Sequence, residues 1–166
     1  MSSEKIIKTI RYLAYTLVIL VPLIYFPTGI FPFQVIKTVV LQILVEIIFV
    51  LWLGLMIFNK ACPVGSRRLS FGEYRPKLTP LTIALFAFMA IISLSVVFGS
   101  DWRAGLWSDE SRTLGLVSLW HFFALFFVLS SLREKINWKK LFFLSFGASV
   151  AVSLIGISQK FIVFPK

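Results

Sequence analysis

A chain of 166 residues that is 58% hydrophobic and 14% charged departs from soluble domains, in which about a quarter of residues are charged. Its net charge of +10 would suit a nucleic-acid binder in a soluble chain, but here the basic residues flank apolar blocks, so no nucleic-acid partner is expected. A single cysteine, Cys62, and a single histidine, His121, exclude an internal disulfide, a cysteine-based zinc site and a histidine metal cluster. No metal or cofactor is expected.

The apolar residues fall into five blocks: 12–31, 38–58, 79–99, 114–132 and 141–159. Together they hold 100 of the 166 residues but only one of the 24 charged side chains, Glu46. Crossing ~30 Å of hydrocarbon at ~1.5 Å per residue takes about 20 residues of helix. The blocks therefore predict an all-α, polytopic transmembrane helix bundle of five spans, with residues 1–166 forming a single transmembrane region and membrane lipid as the first partner. Twelve of the 17 Lys and Arg residues lie on the N-terminal side of that topology and five on the other. The positive-inside bias then puts the N-terminus in the cytoplasm and the end of the fifth span outside. Lys5, Lys8 and Arg11 before the first apolar run resemble a signal-peptide n-region, but no small-x-small cleavage pattern follows, so a retained first helix is expected.

In chain order, the first span holds Pro22 in its interior, where it is expected to bend the helix. Pro27, Gly29 and Pro32 form a tight outer turn, with Pro32 suited to the first turn of the second span. That span opens with Lys37 at the outer surface and carries Gln42 and Glu46, four apart and so on one face. Glu46 lies nine residues below Lys37, about 13 Å deep. An ionisable group there costs at least ~2.5 kcal/mol. Two readings stay open: a polar pair that fixes helix packing, and a group on a pathway or relay.

The inner loop, 59–78, is rich in Lys, Arg, Gly and Pro. A topology signal accounts for it, and anionic-lipid binding is the alternative. The outer loop, 100–113, packs Trp102, Arg103, Trp107 and Arg112 beside Asp101, Asp109 and Glu110. Indole rings and guanidinium groups at headgroup level suit sugar faces and phosphates, while an interfacial anchor with paired charges explains the same composition. The fourth span carries His121, expected as a hydrogen-bonding packing group. The fifth bears Ser145, Ser149, Ser153 and Gly156 in a small-residue stripe, which implies a partner helix within this chain or beyond it. No phosphate loop, nucleophile elbow or catalytic triad is present, and no catalytic residue is assigned.

Two stretches carry a resemblance. Phe31-Pro-Phe-Gln-Val-Ile-Lys37 running on to Glu46, and Asp101 to Leu116 followed by His121, are similar to the N-terminal half of bacterial O-antigen ligase/polymerase-like membrane proteins. Lys37, Glu46, Trp107, Arg112, Gly115 and Leu116 match the pattern, and Gln42 departs from it where a basic residue is expected. The similarity spans roughly residues 20 to 160. It implies a metal-independent glycosyltransferase of the bacterial inner membrane. Such enzymes move a glycan from an undecaprenyl-pyrophosphate carrier to a lipid or glycan acceptor at the outer face, as in lipopolysaccharide or cell-surface polysaccharide synthesis. It also implies that this chain is the front part of a longer protein whose essential Arg and His residues lie in a later loop. Lys37, Arg103, Trp107 and Arg112 would then contact the donor lipid or glycan, with Gln42, Glu46 and His121 as intramembrane polar groups. The competing expectations are a transporter or flippase, with Glu46 as a coupling group and Pro22 as a hinge, and a small non-catalytic membrane scaffold.

Overall fold

A computed structural model describes residues 3–24, 35–61, 79–108 and 115–163. They form six helices: α1 (Ser3–Leu23), α2 (Val35–Ala61), α3 (Pro80–Val97), α4 (Trp102–Trp107), α5 (Leu116–Ser131) and α6 (Trp138–Val163). The described residues are helical apart from their connections, and no strand occurs among them. Four helices, α1, α2, α3 and α6, are long and apolar enough to cross a membrane. The fourth expected span corresponds to α5, which is apolar but only 16 residues long. At ~1.5 Å per residue α5 reaches about 24 Å, short of the ~30 Å hydrocarbon thickness.

The first span needs correction. Its expected start was residue 12, but α1 begins at Ser3 and ends at Leu23. Residues 3–11 are amphipathic rather than loop: Ile6, Ile7 and Ile10 are buried while Lys5 and Lys8 stay exposed. Glu4 in the first turn complements the partial positive charge of the helix N-terminus. Pro22 lies inside α1 in its last turn, one residue from the end, and the Ile24 amide still donates to the Leu20 carbonyl at 3.0 Å beyond it. The turn residues Pro27, Gly29 and Pro32 lie outside the described residues, as does most of the inner loop with Cys62.

The other starts follow from local chemistry. Thr79 caps α3 by accepting from the Thr82 amide at 3.3 Å, with Pro80 in the first helical turn where it needs no donor. Asn137 opens α6 in the same way, its side-chain oxygen accepting from the Lys140 amide at 3.1 Å. Asp101 does so for α4, accepting from the Ala104 amide at 3.1 Å.

Among the described residues the long helices pack in an open row, α6–α1–α2–α5–α3, and α4 lies across the ends of α3 and α5. The core runs through the middle of this row, where Ile10, Val45, Ile48, Leu55, Val128 and Leu132 are almost fully buried. Aromatic rings continue it sideways. Trp52 of α2 meets Phe127 of α5 edge-on at 5.6 Å, and Phe123 of α5 meets Phe86 of α3 at 4.9 Å. Leu141, Leu144, Ala148 and Ala151 form the inward side of α6, whereas its serine stripe faces outward. Ser149 and Ser153 spend their hydroxyls on the carbonyls of Ser145 and Ser149, one turn back. The stripe therefore does not serve the α1–α6 contact.

Trp52 is 4% exposed, yet its indole N–H finds no acceptor among the described residues. An unpaired buried donor weakens a fold, and an apolar replacement of similar shape removes that cost. Trp52→Phe is accordingly expected to change stability by less than about 1.5 kcal/mol, whereas Trp52→Ala should cost about 3–5 kcal/mol. Thermal unfolding of the two variants in the same lipid or detergent checks the ordering.

Candidate functional site: the α4 end and the α2–α5 polar ladder

Three pairings set the direction of α5 against α2. Gln42 faces Ser118, Glu46 faces His121 and Trp52 faces Phe127, so both residue numbers rise together and the helices run parallel. The N-termini of α2 and α5 thus share one end of the row. The same end holds α4, because Gly105 of α4 sits against Val96 near the end of α3, and the Leu106 backbone meets Gly115 at the start of α5.

This end collects Lys37, Arg103 and Trp107. Lys37 is not a free cation there: its Nζ donates to the Pro22 carbonyl oxygen at 3.1 Å. That carbonyl belongs to the last turn of α1, where carbonyls lack helical partners and a cation is favoured. Lys37 thereby ties the start of α2 to the end of α1. Arg103 is exposed, with its guanidinium 5.9 Å from the Trp102 ring centroid. Trp102 and Trp107 are 56% and 66% exposed, so both indoles project from the short helix. Arg112 lies outside the described residues, between Ser108 and Gly115.

Deeper along the row, α2 and α5 are joined by two polar bridges one turn apart. Gln42 Nε2 donates to Ser118 Oγ at 3.3 Å. Ser118 is buried, and sequence reasoning passed over it, although it lies three residues before His121 and so on the same face of α5. That spacing mirrors the four residues between Gln42 and Glu46 and was the available signal. Gln42, where the family resemblance expects a basic residue, here bridges helices. The second bridge joins His121 Nε2 to Glu46 Oε1 at 3.1 Å.

The other ring nitrogen settles the imidazole's orientation. His121 Nδ1 lies 2.7 Å from the Val117 carbonyl oxygen, which can only accept, so Nδ1 carries a hydrogen. A neutral ring then presents a bare Nε2 to Glu46, and the contact needs a proton from the carboxyl group. A doubly protonated ring donates from Nε2 to a carboxylate instead. In both cases a single hydrogen bridges Nε2 and Oε1.

Compared with protein-family models, with curated proteins and with solved structures, the chain matches none of them.

Proposed function

We propose that this chain is a membrane segment of a glycosyltransferase-like glycan ligase or polymerase, contributing the outer surface that receives an undecaprenyl-pyrophosphate-linked glycan. The observation that carries this reading is the convergence of Lys37, exposed Arg103, Trp102 and Trp107 on one end of the helix row. Planar guanidinium groups pair with phosphates, and exposed indoles stack on sugar faces. The motif resemblance of Lys37, Glu46, Trp107, Arg112, Gly115 and Leu116 adds the enzyme class. In this reading α5 completes five crossings of the bacterial inner membrane, with the N-terminus inside. The short α5 is accommodated by local thinning of the bilayer or by its flanking residues.

Two experiments test the proposal. Single cysteines at Ser100 and Glu134, in a Cys62→Ser background, probe the two ends with a membrane-impermeant thiol reagent in intact cells. Labelling of Ser100→Cys from outside, with Glu134→Cys reached only after permeabilisation, is the expected result, and the reverse pattern overturns the orientation. In the native full-length protein, Arg103→Ala combined with Arg112→Ala should lower transfer from the lipid-linked donor at least tenfold, with a raised KM for that donor. Unchanged transfer would return the outer loop to an interfacial anchor.

A further inference from the structure

We propose that Glu46 and His121 form a proton-binding site in the apolar middle of α2, and that its single proton holds α2 against α5. Glu46 stands near the centre of the 27-residue α2, with Val39, Ile43, Ile47 and Val50 as its outward neighbours on that helix. Its side chain is 66% exposed, while that of His121 is 16% exposed. The open approach to the pair is therefore through the carboxyl group.

The ring geometry leaves one hydrogen position to be shared between the two side chains. Nδ1–H is committed to the Val117 carbonyl, so moving that hydrogen to Nε2 would leave two lone pairs facing each other at 2.7 Å. The remaining proton lies between Nε2 and Glu46, on the acid or on the imidazolium, and both arrangements are neutral. Neutrality matters at this depth, where an uncompensated ionised group is disfavoured. Removing the proton leaves a carboxylate oxygen against a bare nitrogen, with a net negative charge among aliphatic side chains, and the bridge fails. The site is a store rather than a wire: Nδ1 leads only to a backbone carbonyl, so the proton enters and leaves through Glu46. In loading, a proton from water joins the Glu46 carboxylate and then passes to, or is shared with, the Nε2 lone pair.

No other charged group intrudes among the described residues. α3 has no titratable side chain, and α4 offers Arg103 beside Asp101 at the outer end. α1 carries Glu4, Lys5, Lys8, Arg11, Tyr12 and Tyr15 in its first two-thirds, and α2's own Lys37 is turned to Pro22. Among the described residues His121 lies within ion-pair distance of Glu46, at 3.1 Å.

Because the chain has one histidine, its ring nitrogens give a single-site probe. The experiment is nitrogen-15 NMR of the histidine-labelled 166-residue chain in lipid nanodiscs from roughly pH 5 to pH 8, the range in which histidine charge ordinarily changes, with thermal unfolding of the same samples. As pH rises, Nε2 should move to the position of a bare, unbonded nitrogen while Nδ1 stays protonated, and Tm should fall over the same interval. In Glu46→Gln both changes should be lost. A wild-type Nε2 signal that does not move, an Nδ1 that titrates instead, or an unaltered midpoint in Glu46→Gln overturns the site. Titration of Nε2 with a constant Tm overturns its role in holding α2 to α5.

Discussion

Gly115→Ala is expected to lower stability by about 3 kcal/mol, the upper part of the range for overpacking. A Cβ at Gly115 would fall on the Leu106 carbonyl oxygen and within 2.6 Å of the carbonyl carbons of Leu106 and Trp107. Both obstacles are backbone, so they cannot rotate aside. The backbone at Gly115 is extended, with φ −75° and ψ 179°, which any residue adopts. The requirement for glycine is therefore purely one of space, and relief demands that α4 lift from the start of α5. Gly105 is the natural control. A Cβ there meets Val96 Cγ1 at 2.7 Å, the tip of a side chain that can yield. Replacing a helical glycine by alanine also contributes up to ~1 kcal/mol of helix propensity. Gly105→Ala should thus lie within about 1 kcal/mol of wild type. A thermal melt ranking the two substitutions equally would show that α4 does not dock on Gly115.

The second large effect concerns the Glu46–His121 bridge. His121→Leu keeps side-chain bulk but leaves the Glu46 carboxyl group facing apolar surface, at an expected cost of about 1–3 kcal/mol. Replacing both partners, Glu46→Leu with His121→Leu, should recover most of that loss, because a polar pair exchanged for two apolar groups leaves nothing unsatisfied. The non-additivity is the signature, and a double variant as unstable as the sum of its parts would mean that the two residues do not interact. Gln42→Leu offers a comparison one turn away. It removes only the neutral donor to Ser118 Oγ at 3.3 Å, so a smaller loss is expected.

These effects bear on how the outer end is held for function. Lys37 fastens α1 to α2, Gln42 and Glu46 fasten α2 to α5, and Gly115 lets α4 lie on α5. A substitution at any of these positions can displace Arg103 and Trp107 without touching a ligand. Variants of Lys37 or Gly115 therefore need a measurement of folding beside any test of the proposed function, whereas Arg103, exposed on α4, can be replaced without disturbing these contacts.

Much of the helical framework was legible because apolar length is a strong signal. The expected blocks 38–58 and 79–99 fall on α2 and α3 to within a few residues, where Pro80 and Thr79 mark one end and a change of composition marks others. The start of α1 was missed because its first turns carry Lys5, Lys8 and Arg11. A search for uninterrupted apolar runs discards such turns, although Ile6, Ile7, Ile10, Ala14 and Leu17 keep helical spacing through them. The α4 helix escaped notice because six residues, Trp-Arg-Ala-Gly-Leu-Trp, are too few for any periodicity to emerge.

The amino-acid sequence by itself determined the solvent this chain is built for: blocks of about 20 apolar residues with their charges at the ends belong in a bilayer, whatever their packing. It also marked Glu46 and His121 as exceptional, since each stands in an apolar block. Only the tertiary structure decided that they are partners. Residues 75 apart in sequence meet because α2 and α5 lie side by side and parallel, a choice made by Ile48, Trp52, Val128 and the aromatic rings between the helices. Periodicity places a side chain on a face of its own helix, but which helix covers that face depends on packing summed over many contacts, and no local pattern encodes it.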